Sequence, residues 1–403
     1  MNIKNNVLFK KKELIQFCTY RFTFGISYSF MIPIIPLFFS SIGISTMMIG
    51  TIMSLYGVSK ALAQIPFGIV SDAIGDKLLL IIALGLMTFI PFAYTIASSK
   101  VIASGIYVLQ GAILGIAAPA TFSILSRSLD ESKRGESTGF ASAVFTLGGG
   151  IGAAIAGFIV AKFSNYNMVF YMASVGIFLT GLFVFFKIEK STISNKKEKK
   201  IKGKNRIKVI FEDIKNHNLG CKIILLGAIA LLGDFIYGCV VSIFPFYGQE
   251  VLGASTMYTS TIISLYLFIF GFGAPFAGWV SDKIGNKKQL YVSFFVMNGT
   301  LLALYFVRNI ILFAFVIIIY FLGATFLNAA LQSLLSEFGE NDNIKGIVFG
   351  FVGASESLGY ALGPIISAYI YDINKSWLFL CLLVVSIIVL GVHCLLCKKS
   401  CIS

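Results

Sequence analysis

Residues 66–77 read PFGIVSDAIGDK, and residues 275–288 read PFAGWVSDKIGNKK. Gly68, Ser71, Asp72, Ile74, Gly75 and Lys77 recur as Gly278, Ser281, Asp282, Ile284, Gly285 and Lys287, each displaced by 210 positions. Further out, Gly43, Ser45, Leu55 and Tyr56 recur at the same displacement as Gly253, Ser255, Leu265 and Tyr266, while Pro36 and Pro245 are one step out of register. A second block repeats as well: Gly139, Gly148 and Gly152 share their spacing with Gly350, Gly359 and Gly363, 211 positions on. Two blocks repeating at nearly one displacement divide the chain into related halves, 1–186 and 222–403, joined by a linker at 187–221.

The composition says where these halves live. Of 403 residues, 57% are apolar and 12% charged, against about 25% charged in an ordinary soluble domain. Residues 187–220 hold 15 of the 50 charged side chains, 11 of them Lys or Arg. A chain this poor in charge elsewhere has no room for a large soluble catalytic domain. The net charge of +14 reads as the cytoplasmic basic excess of a helical membrane protein rather than as a nucleic-acid surface. The seven cysteines lie mostly in apolar segments or near the C-terminal end, which argues against a disulfide framework.

A bilayer crossing takes about 20 apolar residues in a helix. Twelve segments qualify: 14–38, 47–70, 78–97, 101–122, 138–160, 168–186, 222–247, 257–279, 289–307, 310–332, 346–370 and 377–396. The first follows Lys10, Lys11 and Lys12 and is read as an uncleaved span, since its apolar run is too long for a signal peptide. With the N-terminus inside, the cytoplasmic loops, tails and linker hold 26 Lys or Arg. The outside loops hold four (Lys100, Lys162, Arg308 and Lys375), and Arg21 and Lys60 fall within spans. That asymmetry places a multi-pass protein in the cell membrane with both termini cytoplasmic. The expected fold is an all-α membrane protein of 12 transmembrane helices in two pseudo-symmetric six-helix bundles, an architecture of transporters with a site between the halves.

The Gly68–Lys77 block and its copy at Gly278–Lys288 resemble the loop signature of the major facilitator superfamily, which lies between spans two and three as here. The span-five block Gly139, Gly148, Gly152, Ala153, Ala156 and Gly157 resembles that family's antiporter motif, with Ala153 where the motif has Pro; the span-eleven copy keeps Gly363-Pro364. Gln110-Gly111 resembles the span-four motif, with Tyr107 where the family has Arg. The resemblance, to the 12-span drug/proton antiporter group in particular, implies secondary transport by alternating access. It points to proton-coupled efflux of small amphiphilic or drug-like compounds, with a small-molecule substrate and protons as the partners. The alternatives are an uptake permease for a sugar or other metabolite and, from a different class, a non-transporting membrane sensor. No nucleotide-binding loop or nucleophile elbow is present, so neither an ATPase nor another enzyme is expected. No catalytic residue, cofactor, metal, nucleic acid or obligate protein partner is expected.

Physical reasoning assigns roles to single residues. Asp72 and Asp282 at the cytoplasmic ends of spans two and eight suit the positive N-termini of spans eleven and five. Lys77 and Lys287 either anchor the loop or follow the basic-inside pattern. The small-residue stripes, Gly148-Gly152-Ala156 and Gly359-Gly363-Ser367, allow close helix approach, either as ordinary packing or, as the family resemblance implies, as a border of the cleft. Arg21, Lys60, Asp234 and Glu356 are charges within spans, each costly and each a functional candidate. Glu356, near mid-span, is the first candidate for carrying a proton or meeting a cationic substrate; the alternative is an ion pair of Arg21 or Lys60 with Asp234 or Glu356. Among neutral groups Gln110 and Asn328 are candidates for substrate or interhelical bonds. Tyr28, Phe30, Tyr107, Tyr237, Phe244 and Tyr266 fall where a cavity would lie. His393, Cys394, Cys397 and Cys401 are read as an ordinary helix end, not a metal site.

Overall fold

The computed structural model describes residues 12–128, 134–189, 220–337 and 342–400, and every regular element among them is an α-helix. In order these are α1 (Lys12–Ser29), α2 (Ile35–Ser41), α3 (Thr46–Ile74), α4 (Asp76–Thr95), α5 (Lys100–Ser128), α6 (Arg134–Phe163) and α7 (Tyr166–Lys187). After the linker come α8 (Gly220–Glu250), α9 (Thr256–Ile284), α10 (Asn286–Phe306), α11 (Ile310–Glu337), α12 (Asp342–Ile373) and α13 (Trp377–Ser400). Most of the linker, residues 190–219, and Cys401 lie outside the described residues.

The first predicted span is two helices rather than one. Phe30–Ile34 form turns between α1 and α2. Pro33 has no amide to continue the ladder from Ser29, and Pro36 opens the next helix. The Ile34 and Ile35 amides bond the Met31 carbonyl instead, at 3.1 and 2.9 Å. From α3 onward each helix corresponds to one predicted span. By length and composition, nine helices among the described residues can cross a membrane. The predicted spans outside that set lie in α1–α2, α3 and α12, which carry Arg21, Lys60 and Glu356; some side chains of α3 and α12 lie outside the described ones.

The repeated residues turn out to be punctuation. Ser45 and Ser255 cap α3 and α9, their hydroxyls accepting from the Met48 and Tyr258 amides at 3.4 and 3.2 Å. Gly75 and Gly285, at φ 90° and 86°, form one-residue elbows from α3 to α4 and from α9 to α10. A side chain there would cost about 1–3 kcal/mol of strain. The residue after each elbow completes the corner. Asp76 is buried and accepts from Ser123 Oγ at 2.9 Å and from the Lys77 amide at 2.7 Å. Asn286 accepts from Ser281.

Packing repeats between the halves. In the first half α1 packs on α6, α3 on α5, and α4 on α5 and α7; in the second α8 packs on α12, α9 on α11, and α10 on α11 and α13. Gly148 and Gly152 of α6 rest on the Phe22 and Ile26 carbonyls of α1, while Gly359 and Gly363 of α12 rest on the Leu231 and Phe235 carbonyls of α8. The small-residue stripes therefore close each half internally. The bundle's outer face is apolar, with Phe295 of α10 82% exposed, as a surface facing hydrocarbon requires.

The halves meet along two seams, α3 against α12 and α6 against α9. In the first, Gly50 lies on Pro364 and Ala368, and Gly57 on Tyr360 and Ala361. In the second, Gly157 lies on Ser260, Gly150 on Phe268 and Gly271 on Leu147. We call the face at which α1 begins and α13 ends the basic face. Among the described residues, these contacts run from the opposite face to mid-helix. Beyond that, Gly68 and Gly278 are so open that an added Cβ would meet nothing within 4 Å. Among the described residues, the seam contacts between the halves thus lie on the far-face side of mid-helix.

The four far-face cations all have local work. Lys100 Nζ donates to the Gly43 carbonyl at 2.6 Å, and Lys375 pairs with Glu250 at 2.6 Å. Arg308 donates to the Tyr305 carbonyl at 2.8 Å and to Ser376 Oγ at 2.9 Å, joining two loops. Lys162 lies over Phe158 and Phe163.

The glycine contacts give a direct test. Gly152→Ala and Gly363→Ala push a methyl into a carbonyl of the neighbouring helix and are expected to cost about 1–3 kcal/mol each. Gly68→Ala, facing open space, is expected to be neutral or stabilising by up to about 1 kcal/mol. Thermal melts of the purified protein in detergent check both.

Candidate functional site

At the inner end of the seams, in the middle of the molecule, two layers of side chains lie one helical turn apart. The deeper layer is tyrosine. Tyr28 (α1) and Tyr56 (α3) share a hydroxyl hydrogen bond of 2.7 Å, and Gln110 of α5 donates to Tyr28 at 3.3 Å. Tyr94 of α4 donates to the Gln110 carbonyl at 2.9 Å. Tyr107 stacks on Tyr56 at 4.8 Å. Across the seam Tyr360 of α12 lies 5.6 Å from Tyr56 and 5.9 Å from Tyr237 of α8, which stacks on Tyr266 of α9 at 5.8 Å. These rings form a belt spanning both halves. Tyr28, Tyr237 and Tyr360 are half-buried and reach the open space; Tyr56, Tyr107 and Tyr266 back them from within.

The second layer is charged. Lys60, Asp234 and Glu356 are each the fifteenth residue of their helix, hence about 21 Å along it. Each sits one turn from a belt tyrosine on the basic-face side: Lys60 after Tyr56, Asp234 before Tyr237, Glu356 before Tyr360. Asp234 lies within electrostatic reach of both Glu356 and Lys60, and Glu356 within reach of Lys60. All three are half-buried. Among the described residues, no direct ion pair joins any two of them.

Arg21 is not in this group. Its guanidinium lies 4.2 Å over the Phe145 ring, beside Tyr20, so pairing of Arg21 with Asp234 or Glu356 does not occur here. The seam supplies the site's far wall. The Ile365 amide, just past Pro364, donates to Ser54 Oγ at 3.1 Å, and Ser264 Oγ donates to the Gly150 carbonyl at 2.7 Å. Ser54 and Ser264 are 210 positions apart, so each half sends the same serine to the backbone of the other.

Other predicted residues lie elsewhere. Lys77 points to Phe185 of α7 at 5.9 Å, and Lys287 is exposed. Asn328 is half-buried on α11. His393 packs on Tyr291, ring centres 5.0 Å apart. The side chains of Asp72 and Asp282, the surroundings of Gly139 and Gly350, and the first turns of α6 and α12 lie outside the described ones.

Sequence reading missed Tyr360, although it stands four residues from Glu356 on the same helix face. It also missed that the belt is duplicated. Gly148 sits on Phe22 as Gly359 sits on Leu231, so α1 maps onto α8 with a displacement of 209. At that displacement Tyr28 becomes Tyr237; at 210 Tyr56 becomes Tyr266. The offset of Pro36 from Pro245 carried the signal. The charges are not duplicated: Lys60 corresponds to Phe270, Glu356 to Phe145 at 211, and Asp234 to Gly25 at 209.

Two pseudo-symmetric helical bundles around a central cleft with charges at mid-membrane depth define an integral membrane transporter fold. Residues 17–347 match the family described as Major Facilitator Superfamily, and the chain belongs to it. Among its relatives, an uncharacterized MFS-type transporter of Methanocaldococcus jannaschii is 24% identical over 352 residues, covering 87% of this chain and 89% of the relative. Multidrug resistance protein MdtG of Klebsiella pneumoniae is 24% identical over 361 residues, covering 86% of this chain and 84% of its own. The same fold occurs in the nucleoside transporter NupG (TM-score 0.73, 13% identity, 95% of this chain and 99% of that one). It also occurs in a bacterial homolog of the human lysosomal transporter Spinster (TM-score 0.73, 13% identity, 96% of each).

The serine bridges predict how the far wall responds. Ser54→Ala and Ser264→Ala are each expected to cost about 0.6 kcal/mol, the mean for interhelical bonds in membranes. Together they are expected to widen label-to-label distances between the far-face ends of α6 and α9 in spin-echo measurements, and to leave the basic-face distances unchanged.

Proposed function

We propose that this protein is a secondary active transporter that exports small amphiphilic, drug-like compounds in exchange for protons, by alternating access. The observation that carries the reading is the pair of layers in the cleft. Aromatic faces attract apolar and cationic ring systems, and two carboxyls one turn away supply a proton site and a partner for positive charge. The seams close one side while the other is open, which is one of the two states the cycle requires. MdtG, a relative over most of the chain, is a multidrug resistance protein, which favours export over uptake.

In this reading the basic face is cytoplasmic, as the distribution of Lys and Arg supports. A substrate enters from there, lays its apolar part on the tyrosines and its positive charge towards Asp234 and Glu356. Closure of the basic side brings Asp72 and Asp282 onto the N-termini of α12 and α6, where helix dipoles favour carboxylates. Opening of the far side parts the two serine seams. Protonation of Glu356 from outside displaces the cargo and resets the carrier. The working unit is then two bundles, 1–186 and 222–403, with 187–221 as a tether lying on anionic lipid.

Proteoliposomes with an imposed pH gradient test this. Lipophilic cations, sugars and organic acids are added singly while internal pH is followed. Cations are expected to trigger proton flux, and Glu356→Gln to reduce it to the level of protein-free vesicles. Flux triggered by sugars alone would instead assign uptake.

A further inference from the structure

We propose that Lys60 is a specificity-determining residue that restricts the cleft to substrates carrying one positive charge. The inference rests on the organic-cation reading above and goes beyond it by assigning a valence. Lys60 comes from the first half, through α3, and meets two carboxylates from the second, through α8 and α12, at one depth. With all three ionised the group carries a net charge of −1. A monocation docked there is fully compensated. A dication leaves one positive charge over, in surroundings where uncompensated charge is costly.

The geometry gives Lys60 this role rather than that of a structural counter-ion. A structural pair would be in direct contact; Lys60, Asp234 and Glu356 each keep part of their surface exposed and, among the described residues, make no direct pair. Lys60 also stands one turn from Tyr56, at the layer where a ring system on the belt would extend its charged end. Its repeat-related position is Phe270, packed on Tyr266 at 4.8 Å, so the lysine is not demanded by the shared scaffold. Among the described residues, Lys60 is the cation within electrostatic reach of the two acids, while Arg21 is held over Phe145.

Ethidium and propidium test it, because both carry the same phenanthridinium ring and propidium adds a second, quaternary ammonium charge. Binding of each dye to the purified full-length protein is followed by fluorescence. The wild type is expected to prefer ethidium by at least about tenfold. Lys60→Met, which keeps the side chain's length, is expected to shift the ratio towards propidium by at least about tenfold, and Lys60→Arg to keep the wild-type ratio. Glu356→Gln, which removes a negative charge with Lys60 in place, is expected to move the ratio further from propidium. This arm still decides the matter if Lys60→Met does not fold. A ratio within about twofold of wild type in Lys60→Met, or in Glu356→Gln where only that variant folds, overturns the role of Lys60 while leaving the export reading intact. Absence of binding by either dye to the folded wild type overturns both.

Discussion

The hydrocarbon core of a bilayer offers no hydrogen-bond partner, and the architecture follows from that. Backbone groups must be satisfied within the chain, so the spans are helices. Hydroxyls turn back onto their own helices, as Thr88 does to the Leu84 carbonyl at 2.9 Å and Thr325 to Phe321 at 2.8 Å. Where prolines break the first span, the interrupted backbone is buried among neighbours, with Met31 and Ile34 almost fully enclosed. Cations remaining on the far face are pinned to carbonyls, to a carboxylate or to aromatic rings. Among the described residues, charge without a direct ion pair at mid-depth occurs at the inner end of the seams, where the side chains keep some exposure.

Features set by local chemistry were plain in the sequence. Apolar length located the helices, and the repeated Gly and Ser residues located elbows and caps, because a positive φ and a helix cap each demand particular residue types. Lys60, Asp234 and Glu356 stood out because charge within an apolar run is rare, and the fold does bring these three together. Arg21 stood out equally and lies apart, since a charge in a span says nothing of the direction it faces. The glycine stripes announced close packing but not its partner; the chain alone does not reveal that they seal each half while other glycines on the same helices meet across the seam. The tyrosine belt was half visible. Its rings sit among many aromatics, and a displacement changing from 209 to 211 between helices hid the correspondence of Tyr28 with Tyr237.

The seams and the stripes divide the labour of the small residues. Contacts within a half, such as Gly152 on Ile26, place backbone against backbone and keep each bundle rigid. Contacts between halves combine small residues with flat rings and one serine-to-backbone hydrogen bond each, at Ser54 and Ser264. A seam of this kind holds through many weak contacts and two modest hydrogen bonds, so it can open without unfolding what lies on either side.

What the internal repeat carries in two copies is elbows, caps, seam serines and paired tyrosines. What exists once is the charge, and its negative part belongs wholly to the second half. In the proposed cycle, an amphiphilic cation seated here has a head and a tail with fixed addresses, and it keeps one posture from entry to exit while the protein turns around it.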